Sequence, residues 1–242
     1  MTHGAERAMT HGAERAMTHG AERAMTHGAE RAMTRLAAVV VAVALLAGCG
    51  GGGDDGDDRV AAVSGTASTG FAGSVVQQPY PLPDDTFTDT EGRPYVPAED
   101  AAKPVTLVFF GYTHCPDICN TVLANVASAL RRVDDGVRDR VGLVFVSTDP
   151  DRDTPDVVRE YLDRFDPSYV GLTAPEATVR EAAADLNIAY AGKEPVEGGG
   201  YEVSHGTQVT AFTKGQARVI WRAETSVRDL RADLTRLAKR ST

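Results

Sequence analysis

Two short apolar runs constrain the fold more than any other feature of the chain. VTLVFF (105–110) and VGLVFVST (141–148) have strand length and lack period-two alternation. A strand that is apolar on both faces must be covered on both faces. Between them Ile118, Val122, Leu123, Val126 and Leu130 recur at helical spacing, which gives a helix one apolar face. Strand, helix, strand predicts a parallel pair joined by a crossover helix. RRVDDG ends that helix, with Gly136 as its expected cap.

The flanking segments add elements to this unit. TFTDTEGRPYVP (86–97) predicts a strand, a glycine turn and a second short strand. DTPDVVREYLDRF (153–165) predicts a helix with Thr154 as N-cap and Pro155 in its first turn. PEATVREAAADLN (175–187) predicts another. TQVTAFT and ARVIWR flank KGQ as a hairpin. Residues 225–240 set alternating charges around Val227, Leu230, Leu234 and Leu237, a surface helix with one apolar stripe. The fold class is α/β, a mixed central sheet flanked by helices.

The formal net charge of −9 over 242 residues argues against nucleic acid as a partner. Residues 1–32 are four copies of MTHGAERA, too short and too polar to stack as a solenoid. They are expected to be unstructured or untranslated, with Met33 as the start. MTR followed by LAAVVVAVALLAG has the layout of a signal peptide over 33–48. Leu46–Cys49 resembles the bacterial lipobox, which makes Cys49 the expected lipid-attachment residue. Residues 49–76, rich in Gly, Asp and Ser, are expected to form a flexible tether. The folded domain is expected at 77–242, held outside the cytoplasm on a membrane.

Removal of the leader takes His3, His11, His19 and His27 with it. The exported domain then keeps Cys115, Cys119, His114 and His205 for any thiol or soft-metal chemistry. Cys115 and Cys119 fall where a buried strand opens into a helix, and that end of a helix favours a thiolate. The like charge of Asp117 works the other way. Residues i and i+4 of a helix share a face with Cβ atoms about 5–6 Å apart, so both sulfurs can face one ion. A disulfide needs the Cβ atoms to close to about 3.8 Å. Thioredoxin-type motifs have two residues between the cysteines, whereas this chain has three. The spacing suits a dithiol that alternates between metal-bound and oxidised states.

Two thiolates select Cu(I), with Zn(II) as the main competitor. The candidate third ligand is His205 in YEVSHGTQVTAF, placed in a loop before the hairpin strand. His114 adjoins Cys115 and is expected to point elsewhere. Asp149 and Asp153 are read as a turn residue before Pro150 and as part of a helix start. The alternative sets Asp149 beside the cysteine loop, tuning it.

FFGYTHCPDICNTVL, VFVSTDPDRDTPDVVREYLDRF, GLTAPEATVREAAADLNI and YEVSHGTQVTAF together resemble the Sco/SenC family of copper-binding proteins. The resemblance implies a thioredoxin-like fold and one copper ion, Cu(I) or Cu(II), held by Cys115, Cys119 and His205. It implies delivery of that copper to the binuclear site of cytochrome c oxidase, whose copper-receiving subunit is then the partner. It also leaves open reduction of that subunit's cysteines, with Cys115 and Cys119 as the redox pair and another extracytoplasmic copper carrier or thiol reductase upstream. The chain departs from the family pattern at Asn120, Thr148 and Gly206. Asn120 is expected to loosen the helix start and Gly206 the His205 loop. A peroxidase would need an arginine beside Cys115, and the neighbouring sequence supplies none. A purely structural disulfide over so short a loop would constrain the unfolded chain little. The expected activity is carriage of a metal rather than catalysis.

Overall fold

The computed structural model describes residues 70–241. The repeats, the signal-peptide segment, Cys49 and the tether up to residue 69 lie outside the described residues. The strands are β1 (Ser74–Val75), β2 (Phe87–Asp89), β3 (Pro94–Tyr95), β4 (Val105–Gly111), β5 (Val141–Ser147), β6 (Val170–Thr173), β7 (Tyr190–Pro195), β8 (Tyr201–His205), β9 (Val209–Thr213) and β10 (Gln216–Trp221). The helices are α1 (Pro97–Asp100), α2 (Ile118–Leu130), α3 (Asp135–Arg138), α4 (Pro155–Asp163), α5 (Glu176–Asp185) and α6 (Val227–Arg240).

Eight strands form one sheet in the order β1-β10-β9-β4-β5-β6-β2-β3, and β7 and β8 form a separate two-stranded sheet. The pairs β4–β5 and β5–β6 are parallel, as two crossover helices require, and β4–β9 is antiparallel. The pleat explains the continuous apolar runs. Val105, Leu107 and Phe109 of β4 enter one core with Leu143 and Phe145 of β5, and α2, α4 and α6 cover it. Val108 and Phe110 enter the other with Val144 and Val146, under Val179, Ala182 and Ala183 of α5. Each such side chain contributes about 1.5–3 kcal/mol when fully buried.

Several boundaries differ from the sequence expectations. α2 ends at Leu130, with Arg131 as its C-cap in right-handed conformation, and Gly136 lies inside α3 instead of capping α2. β6 and the β7–β8 hairpin are additional elements. β7–β8 turns through Gly198, Gly199 and Gly200, all at positive φ. An isolated two-stranded sheet is marginal in water, so this hairpin depends on what it packs against. The β9–β10 turn is Lys214–Gly215, both at positive φ, as a tight type I′ connection needs.

The packed chain also begins earlier than Gln77. Ser74 and Val75 pair with Ile220 and Val219. Ahead of them, the Asp233 carboxylate accepts hydrogen bonds from Ala72 N, Gly73 N (2.9 Å) and Trp221 Nε1 (2.9 Å). A Cβ on Gly73 would stand 2.5 Å from Val219 Cγ1, so only glycine lets the chain lie this close. Among the described residues no helix is long and apolar enough to cross a membrane.

Candidate metal centre

β4 ends in Gly111, and the chain turns through Tyr112–Asp117 before α2 begins at Ile118. Cys119 therefore sits in the first turn of α2, whereas Cys115 lies ahead of the helix. The two cysteines are not stacked on one helical face as their spacing suggested. Instead the Cys119 N–H donates to Cys115 Sγ at 3.4 Å, so the first thiol caps the helix start. Both sulfurs are unbonded to each other and buried. Gly111 makes room for them: a Cβ there would stand 3.2 Å from Cys119 Sγ and 2.9 Å from Phe145 Cε2.

Environment splits the two thiols. Hydrogen bonding from the Cys119 side chain lowers Cys115 to about 6, against a burial cost and helped by the N–H groups of Cys119, Asp117 and Ile118. The neighbouring Cys115 sulfur and burial push Cys119 upward, so it keeps its proton. One thiolate beside one thiol is the stable arrangement, since two adjacent thiolates would repel.

His205 reaches this pair from the last position of β8, where it pairs with Tyr190. It belongs to a strand, not to the expected loop. Its Nδ1 bonds to the Gly206 carbonyl at 2.9 Å, and Nε2 stands 3.8 Å from Cys119 Sγ. A carbonyl only accepts, so Nδ1 carries the proton and Nε2 presents its lone pair to the thiol. Burial lowers the imidazole pKa and keeps the ring neutral. Tyr112 meets the ring edge-on at 5.8 Å between centroids. Gly206 does not loosen this segment: its N–H donates to Ala189 O at 2.7 Å. Asn120 does not loosen the helix start either, because its Nδ2 donates to Cys115 O at 3.3 Å. His114, as expected, points away, with Nδ1 on Thr113 Oγ1 and its side chain 54% exposed.

The two aspartates do more than shape a turn. Asp153 accepts from Thr113 N (3.0 Å), Thr113 Oγ1 (2.6 Å) and Ser147 Oγ (2.7 Å), which ties the cysteine loop to the end of β5. Asp149 pairs with Arg152 and accepts from Tyr201 Oη at 2.9 Å. Tyr201, Val203 and His205 share one face of β8 at period two. That alternation is visible in YEVSH and was the available signal for Tyr201.

Two soft sulfurs and a neutral imidazole form a donor set for a soft metal ion. Among the described residues no three His, Cys, Asp or Glu side chains are closed tightly enough to hold an ion without adjustment.

A family model described as SCO1/SenC matches residues 78–239. The chain is similar to apo Sco1 of Thermus thermophilus in its solution structures, with 32% identity and a TM-score of 0.63 over 71% of this chain and 99% of that one. It is also similar to ScoI of Bradyrhizobium japonicum solved with copper bound, with 30% identity and a TM-score of 0.54 over 66% of this chain and 97% of that one. Protein SCO2, mitochondrial, of Saccharomyces cerevisiae is 34% identical over 102 residues, 42% of this chain and 34% of that protein. The matched segments span about a third to two fifths of the length of such curated relatives.

Proposed function

This chain belongs to the SCO1/SenC family, and on that premise we propose that it is a membrane-tethered copper metallochaperone. Cys115, Cys119 and His205 hold one copper ion and pass it to the binuclear copper site of cytochrome c oxidase. Cys49 carries the lipid that keeps the domain on the outer face of the membrane. The observation that carries the reading is the orientation of His205. Its Nδ1 proton is tied to a backbone carbonyl, and its Nε2 lone pair faces a thiol. Loading requires the three side chains to close further on one point, because they are not yet grouped tightly enough to hold an ion. Copper displaces the Cys119 proton, because thiolate is the ligand form.

The test is metal content of the reduced chain. About one copper per chain is expected, with each of Cys115→Ala, Cys119→Ala and His205→Ala losing most of it. Tight binding that survives His205→Ala would sink the proposed site.

The lowered Cys115 and protonated Cys119 support a second reading, reduction of the target's cysteines. The Cys115 thiolate attacks a target disulfide and forms a mixed disulfide. Cys119 then displaces the second target sulfur, and its proton goes to that leaving thiolate. The target gains two electrons, and Cys115–Cys119 becomes the disulfide. This role needs no imidazole, so full activity of His205→Ala with loss in either cysteine variant selects it.

A further inference from the structure

The β7–β8 hairpin carries His205 but pairs with no strand of the main sheet. Val203 seats it on the core, and Arg180 of α5 donates to Tyr190 O at 3.2 Å. Lys193 also reaches Glu176 of α5, Arg180 lies over the Tyr190 ring and Tyr112 meets the His205 ring, while a further set of ties converges on one turn, residues 148–153. Tyr190 Oη donates to Thr148 O at 3.2 Å, and Tyr201 Oη donates to Asp149 Oδ1 at 2.9 Å. Lys193 pairs with Asp151. The Arg152 guanidinium lies 3.9 Å from the Tyr201 ring centroid and 5.8 Å from that of Tyr112, with its Nε on Asp149. The far end of the same turn holds the cysteine loop, through Asp153 and Thr113. One turn therefore sets the imidazole and the thiols in register.

We propose that Tyr201 and Arg152, fastened to Asp149, form a latch that positions His205 over Cys119, and that opening it speeds copper release. The inference rests on the copper reading above. Neither residue touches the three donors through a hydrogen bond or ion pair, so both are positioning residues. The hairpin is marginal alone and its tip is three glycines. Loss of the latch lets it lift as a unit while the eight-stranded sheet stays intact. The copper then keeps two thiolates and loses its nitrogen donor. A receiving protein that competes for Tyr201 or Arg152 would open the site in this way.

The test uses the full-length reduced chain in detergent, loaded with Cu(I), and follows transfer to a Cu(I) chelator by stopped flow. Tyr201→Phe removes one hydrogen bond to a carboxylate and keeps the ring. About tenfold faster transfer is expected. Arg152→Gln is expected to do the same, and Arg152→Lys, which keeps the charge on Asp149 but not the planar stack, to recover part of the loss. A metal-free readout accompanies it, amide hydrogen exchange of the apo chain. Val203 and His205 should exchange faster in Tyr201→Phe, with Leu107 and Val144 unchanged. Transfer within twofold of the parent, or hairpin exchange within twofold of it, overturns the latch. So does exchange that rises uniformly across the sheet, which would mark a general loss of stability. A parent chain that binds no copper overturns the copper reading and the release step with it. Unchanged hairpin exchange overturns the latch alone.

Discussion

His205 Nε2 stands 3.8 Å from Cys119 Sγ, although 86 residues separate them in the chain. Gly206 holds the opposite side of the ring through Nδ1, so the contact has a fixed direction. A lone pair, a protonated thiol and a neighbouring thiolate are brought together at one end of the sheet. In the proposed copper carrier a soft cation replaces the proton of Cys119, and in the proposed reductase the same thiol pair gives up two electrons instead.

Cys115 sits at about 6 because Cys119 donates to it. At neutral pH it is the thiolate, while Cys119 remains a thiol. Alkylation of the reduced apo chain by iodoacetamide should occur first at Cys115, with a rate that rises between about pH 5 and 7 and then levels, where an unperturbed thiol rises through about pH 8.5. Cys119→Ser weakens the donor and should move the midpoint upward. Mass mapping of the modified residue against pH checks both statements. A midpoint near 8.5 in the parent chain would refute the assignment.

Gly111→Ala adds one methyl group into a space bounded by Phe145 and Cys119. The glycine is not at positive φ, so the cost is packing alone. Overpacking of this kind destabilises by about 1–3 kcal/mol. Urea unfolding of the apo chain should show that loss, and copper affinity should fall because Cys119 is the neighbour that must give way.

Asp153 is buried and accepts three hydrogen bonds, two of them from Thr113. Asp153→Ala leaves those donors unpaired and should cost about 2–4 kcal/mol. The cysteine loop loses its tie to β5 at the same time. Faster alkylation of Cys119 than in the parent, measured well below the unfolding transition, would show the local part of the effect.

Asp233 fastens residues 72 and 73 to Trp221, the single tryptophan of the chain. Asp233→Ala should cost about 2–4 kcal/mol by the same reasoning and free the segment ahead of β1. Tryptophan emission should shift, and limited proteolysis should cut before residue 76. Unchanged emission together with an uncut chain would contradict the clamp.

The central βαβ unit was legible because its strands are apolar on both faces and its helix on one. The cysteines were legible as a pair, although the helix begins three residues later than their spacing implied. A proline and an aspartate between them let Cys115 fold back as a cap. His205 stands out in the sequence as one of two histidines left beside the cysteines, but its strand does not. YAGKEP and YEVSH are largely polar, and an outlying hairpin with a glycine tip has the composition of a loop. β6 has only four residues, too short a run to separate from its turn. Gln77 reads as the domain start because glycine, aspartate and serine dominate before it. Yet Gly73 is there to let the chain approach Trp221, a contact with a residue far along the sequence. The ties of Asp149 to Tyr201 and of Asp153 to Thr113 are equally long-range, and no local pattern encodes them.

The clamp at Asp233 has a mechanical consequence. Ser74 faces Ile220, Trp221 faces Val209, and Val209 faces Phe109. The entering chain thus meets the sheet at the end where Gly111 leads into the cysteines, three strand spacings away, about 14 Å. The Asp233 clamp lies between the first described residues and that end of the sheet, so a pull entering through residues 70–73 is borne by Asp233 and Trp221 before it reaches the thiols and the imidazole.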